Sequence, residues 1–213
     1  MKHLLFDFDG TLVDSMPSFS AVMLKILDEG KVNYPKDVIK IITPLGFSKT
    51  IKYFVELGHP FAPEKIAILM RDYLLDAYTN HIPAKSNVID TLKVLKERGY
   101  SMHVLTASPH ATLDPCLKRL NIFDMFDNVW SCDDFNTSKA DPNIYLEVAK
   151  RINTTVNDIV FFDDNLSADQ TAKSARLATC GVYDDSSKEF IEEMKRTNDY
   201  YIYDFSEILK LKI

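Results

Sequence analysis

The sequence predicts an α/β protein: a three-layer core on a mainly parallel sheet, with an α-helical segment inserted near its start. Three observations carry that prediction. From about residue 87 onward, short apolar runs alternate with helical patterns, the grammar of βαβ units. One more apolar run, at the N-terminus, is separated from these by a stretch that reads as helices alone. Finally, 213 residues, 46% hydrophobic and 26% charged, suffice for one core with a modest insertion and lack the composition of a disordered chain.

Taken in order, residues 3–8 read HLLFDF, an apolar run too short for a helix and bounded by Gly10. It is predicted as a buried parallel strand with its acids at the C-terminal end. From 15 to about 82 the signal is helical. Phe19, Val22, Met23, Ile26 and Leu27 recur at three-to-four-residue spacing up to a break near Gly30. A second helix is predicted after Pro35, whose ring suits a first turn. TPLGFSKT, with Pro44 and Gly46, separates it from a pattern over 51–57, and GHPFAP precedes a long helix over 64–78. Four helices without a strand between them read as a subdomain. Ser86 is placed as the N-cap of a helix reaching Leu95, because its hydroxyl can accept amides that a first turn leaves unused; Gly99 supplies the stop.

MHVLTA, NVWS, DIVFFDD and ATCGVY are then predicted strands, separated by helices near 111–120, 142–152 and 167–175. YYIYDF either adds a last strand or packs Tyr200, Tyr201 and Tyr203 at a surface. The organisation expected is a discontinuous core, 1–14 plus 87–213, interrupted by a helical subdomain, 15–86.

Composition narrows the function classes. Twenty-five Lys and Arg against 31 Asp and Glu give a net charge of −6, which opposes any broad grip on nucleic acid or an anionic membrane. Cys116, Cys132 and Cys180 are odd in number and lack metal-site spacing, so neither a disulfide framework nor a zinc site is expected. The N-terminus lacks a secretory pattern and no apolar run approaches the roughly 20 residues of a membrane span. The expected location is cytoplasmic.

The chemistry concentrates in DFDGTLVDS. Asp7 and Asp9 stand two positions apart, and Gly10 permits a turn that aims both carboxylates into one crevice. A strand with an acidic loop cap would give the same pattern. The whole string, however, resembles the first motif of the haloacid dehalogenase-like phosphatases, Asp-x-Asp-Gly-Thr, here Asp7 to Thr11 with the Leu12-Val13-Asp14-Ser15 continuation. That resemblance implies a Rossmann-like core and a helical cap inserted after the motif, closing over a small substrate. It implies Asp7 as the nucleophile that forms an aspartyl-phosphate, Asp9 as general acid and then base, and Thr11 as the residue positioning Asp9. Asp9 also argues against carbon–halogen cleavage.

The other family motifs follow in order. Thr106, ending MHVLT, matches the hydroxyl residue expected to donate to a phosphoryl oxygen, with Ala107 and Ser108 completing the pocket through their amides and the Ser108 side chain. Lys139 in SKADPNIY matches the cation that faces the phosphate; Ala140 replaces a common proline, while Pro142 and Tyr145 keep register. Asp163 and Asp164, closing VFFDD, match the acidic metal-binding motif, with Asp164 the stronger candidate and Asp169 a supporting acid. Asp7, Asp9, the Phe8 carbonyl, Asp163 and Asp164 are thus the candidate metal ligands, and an all-oxygen set favours Mg2+. Lys49, in the inserted segment, is a candidate for the substrate's distal anion. The five histidines share no ligand spacing; His110, near the expected pocket, is the one that could meet substrate.

The reading is Mg2+-dependent hydrolysis of a small phosphorylated metabolite, phosphoglycolate or similar. A sugar phosphomutase resembling beta-phosphoglucomutase and a noncatalytic binding protein remain as alternatives. Protein partners and oligomeric state are open.

Overall fold

A computed structural model describes residues 2–213. Its sheet has six strands, all parallel, in the order β3-β2-β1-β4-β5-β6: β1 His3–Phe6, β2 Ser101–Thr106, β3 Asn128–Ser131, β4 Ile159–Asp163, β5 Ala178–Val182 and β6 Tyr200–Ile202. The apolar runs become these strands because a parallel strand covered on both faces must be apolar on both. YYIYDF does add the last strand, β6, at the sheet edge.

Helices cover both faces. On one, Leu5, Leu105 and Phe161 pack against Ile144, Tyr145 and Val148 of α7 (Asn143–Arg151) and Ala168 and Ala172 of α8 (Leu166–Ser174). On the other, Phe6 stacks on Phe162, with ring centroids 4.8 Å apart, and meets Phe126 and Phe205. Leu4, Leu5 and Phe6 are fully buried, the pattern expected of a central strand.

Between β1 and β2 the chain forms α1 (Met16–Glu29), α2 (Val38–Ile42), α3 (Gly46–Glu56) and α4 (Pro63–Asn80), then α5 (Val88–Glu97); α6 (His110–Arg119) follows β2 and α9 (Ile191–Thr197) precedes β6. Two compact units result, Met1–Asp14 with Ile82–Ile213, and Ser15–His81. The helical unit therefore ends at His81, ahead of the 86/87 boundary expected from the sequence. Within it, α1 closes on Gly30, where only glycine fits: a Cβ there would lie 2.4 Å from Nε2 of His59, a nitrogen 2.9 Å from the Ile26 carbonyl.

Ser86 is not the cap of α5. The residue before the helix is Asn87, left-handed at φ 63°, and no side chain caps the first turn; Asn87 instead donates to Asp204 at 2.8 Å. Among the described residues no helix is long and apolar enough to cross a membrane.

Candidate active site

The strand order reverses at β1, and the C-terminal ends of β1 and β4 lie side by side there, the place where open parallel sheets form crevices. Asp7 is the first residue past β1, and the ladder continues through it: its amide donates to the Phe162 carbonyl at 2.9 Å. The chain then turns tightly. The Phe8 carbonyl accepts the amides of Leu12 and Val13 at 2.9 and 3.0 Å, and the Gly10 amide donates to Val13 at 3.0 Å. This corrects the expectation that the Phe8 carbonyl holds a metal: two amide bonds already take up its lone pairs.

Gly10 is required twice. Its φ is 75°, where a side chain is strained, and a Cβ would lie 2.4 Å from Oδ2 of Asp164. Thr11 is fully buried and donates to Oδ1 of Asp164 at 3.2 Å, so its hydroxyl holds Asp164 rather than Asp9.

Asp163 ends β4 with no exposure, and Asp164 follows it. Asp163 accepts the Asn165 amide at 2.7 Å on one oxygen and the Lys139 ammonium at 2.7 Å on the other. The same ammonium lies 2.6 Å from Oδ1 of Asp7, and the lysine side chain is only 14% exposed. Where Ala140 stands in place of proline, Asp141 ties the loop by accepting from Thr137 and from the Asn143 amide, and the buried Tyr145 hydroxyl donates to the Lys139 carbonyl at 3.3 Å.

Carboxylate oxygens of Asp7, Asp163 and Asp164 lie within 4.8 Å of one another. Three acids share one lysine, and the electrostatics register the imbalance. Burial, with Asp163 and Asp9 adding to it and Lys139 opposing, pushes the Asp7 carboxyl up to about 7. Burial, then Asp163 and Asp7, holds Asp164 well above the usual carboxylate range. Burial pulls the Lys139 ammonium down, but Asp163 and Asp7 outweigh it and leave it well above the ordinary lysine value. A buried, oxygen-only, net-negative cluster of this kind fits a hard divalent cation, which would relieve the repulsion that now favours protonation.

Asp9 is not one of these three clustered acids, although its charge reaches Asp7; its Oδ2 accepts the Ser108 hydroxyl at 2.5 Å. Thr106 is buried at the end of β2, its hydroxyl oxygen accepting the Ser108 amide at 3.0 Å, while Ala107 is exposed. Asp169 is fully buried on α8, where Asn198 donates to it at 2.6 Å; burial first, then the charge of Asp163, raises its carboxyl well above the usual range. His110 is held between Asp114 and Asp134 at 2.8 and 2.9 Å. Lys49 lies exposed on α3 of the helical unit.

One residue escaped the sequence reading. Lys85 donates to the Gly10 carbonyl, to the Tyr183 carbonyl and to Asp184, at 2.5, 2.5 and 3.0 Å. A lysine in IPAKSNV carries no spacing or motif that would single it out.

The haloacid dehalogenase-like hydrolase family model matches residues 4–182. A phosphoglycolate phosphatase of Psychrobacter arcticus is 27% identical over 188 residues, covering 84% of this chain and 82% of its own. Among solved structures, a predicted phosphoglycolate phosphatase of Haemophilus somnus 129PT superposes with TM-score 0.81 at 21% identity, covering 99% of this chain and 97% of that one. CbbY of Rhodobacter sphaeroides, in complex with xylulose-(1,5)bisphosphate, does so with TM-score 0.78 at 18% identity, covering 97% and 96%. At those identities the structural likeness is one of fold.

Proposed function

The chain belongs to the haloacid dehalogenase-like hydrolases and is a phosphatase of that family, and we propose that it hydrolyses a small phosphomonoester in two steps through a phosphorylated Asp7. The observation that carries the proposal is the Lys139 ammonium between Asp7 and Asp163, at 2.6 and 2.7 Å, in a buried acidic cluster with a second acid, Asp9, two residues on.

Lys139 engages Oδ1 of Asp7, leaving Oδ2 for attack. In the first step that oxygen bonds to phosphorus and the bond to the ester oxygen breaks, with Asp9 giving its proton to the departing alkoxide. In the second, water attacks the same phosphorus, Asp9 takes its proton, and inorganic phosphate leaves a regenerated Asp7. One carboxylate is consumed as nucleophile while the other moves the proton, so two acids are needed. Lys139, the Thr106 hydroxyl and the Ala107 amide offset charge on the nonbridging oxygens, whereas the Ser108 hydroxyl and amide, expected beside them, are engaged by Asp9 and Thr106. Mg2+ held by Asp7, Asp163 and Asp164 would supply further neutralisation of the phosphoryl group when bound.

Residues 15–81 are proposed to act as the cap that sets substrate choice, with Lys49 recognising a distal anion. Phosphoglycolate, the substrate named for the Psychrobacter arcticus relative, is the first compound to test. The experiment is phosphate release from phosphoglycolate, nucleoside monophosphates and sugar phosphates with and without Mg2+, together with acid-quench mass spectrometry for phosphate on Asp7. Turnover by Asp7→Asn would reject the mechanism. Transfer from a sugar bisphosphate to a sugar phosphate, in place of hydrolysis, would make the protein a mutase.

A further inference from the structure

The Gly10 turn is a weak point of the site's backbone. A glycine in the left-handed region has more conformational freedom than any other residue, yet this one must stay pressed against Asp164 while the preceding residue, Asp9, meets Ser108. The Gly10 amide is spent on Val13. Its carbonyl is held by Lys85, whose side chain is 19% exposed and whose ammonium spends its other two bonds on the Tyr183 carbonyl and Asp184, just beyond β5. Asp184 is itself anchored, accepting the Ser186 amide at 3.0 Å and the Ser186 hydroxyl at 2.6 Å.

The backbone around Lys85 is equally fixed. Its amide donates to the Leu12 carbonyl at 3.0 Å, the Asp14 amide donates to the Pro83 carbonyl at 3.0 Å, and Val13 and Ala84 form an antiparallel bridge. The segment after the first motif and the segment re-entering at Ile82 are therefore paired, and Lys85 reaches from that pair to the turn.

We propose that Lys85 is a positioning residue for Asp9: its ammonium clamps the Gly10 carbonyl to the end of β5 and so holds the turn in the conformation that aims Asp9 at the leaving group. This rests on the acid role proposed for Asp9. Lys85 has three acceptors and three ammonium donors, so each donor is used, and no uncharged side chain of that length supplies three.

The test uses leaving groups, because an aryl phosphate departs without a proton and an alkyl phosphate needs one. kcat/KM, which reports the first step, is measured with p-nitrophenyl phosphate and with an alkyl phosphate for the parent, Lys85→Met, Lys85→Gln and Asp9→Asn. Lys85→Met is expected to lose roughly 10- to 100-fold on the alkyl ester and less than about threefold on the aryl ester, a fraction of what a general acid contributes. Lys85→Gln should recover part of the loss. Equal losses on both esters, or none, would overturn the proposal, and so would loss of the fold in both lysine variants, which would make the residue structural. If Asp9→Asn itself fails to discriminate the esters, the acid role is what fails, and the proposal for Lys85 falls with it.

Discussion

Replacing Lys139 with Met removes the only cation within hydrogen-bonding distance of Asp7 and Asp163 among the described residues, while keeping a side chain of similar length. With the lysine present, Asp7 already sits near 7 because burial and its acidic neighbours outweigh the ammonium. Without it the carboxyl must rise further, and each unit of rise lowers the ionised, nucleophilic fraction tenfold below the new midpoint. Losing one preorganised donor to the transition-state charge costs about 3 to 4 kcal/mol, or roughly 10²- to 10³-fold in rate. The two effects have different signatures. Loss of the donor lowers kcat/KM at saturating Mg2+, whereas the carboxyl shift is read without metal, where the fall of stability with rising pH should extend to more alkaline values than in the parent. The assays are kcat/KM at saturating Mg2+ and thermal unfolding against pH without metal, for parent and Lys139→Met. An unchanged kcat/KM, or a metal-free stability profile that keeps the parent's midpoint, would refute the coupling of Lys139 to Asp7.

Three further outcomes are expected. Gly10→Ala, which strains a φ of 75° and drives a methyl into Asp164, should lower the melting temperature by the equivalent of about 1 kcal/mol or more and abolish most turnover; parent-like activity would contradict the turn geometry. Asp7 and Asp164 titrate above their unfolded values, so without metal the folded state holds more protons than the unfolded chain, and stability falls as pH rises from about 4 to 7. The rise in melting temperature caused by Mg2+ should therefore grow with pH across that window; a rise that shrinks with pH would reject the acidic cluster as its site. Proton NMR should find His103, which burial and then His3 depress, titrating near 4, and His110, which Asp114 and Asp134 outweigh burial to raise, titrating above 6.5. The reverse order would refute both environments.

The sheet was legible because its signal is local. HLLF, MHVLT, IVFFD and ATCGV are mainly apolar, and a covered parallel strand demands that of each run independently of its neighbours, whereas NVWS, at the sheet edge, is only partly buried. Boundaries were less legible. Ser86 carries the chemistry of a cap, yet the chain enters α5 through a left-handed Asn87 anchored to Asp204, a partner 117 residues away that no local rule could name.

By itself, then, the sequence determined the α/β class, the helical insertion after the first strand and the residue types that the family motifs share, since these follow from spacing along the chain. Only the tertiary structure decided what those residues touch. Lys139 meets Asp7 across 132 positions, Thr11 turns to Asp164 across 153, and Lys85 closes on Gly10 across 75. The Phe8 carbonyl is withdrawn into its own turn. The physical reason is that hydrogen bonds and ion pairs act over a few ångströms of space, and which distant residues share those ångströms is set by the strand order of the folded sheet.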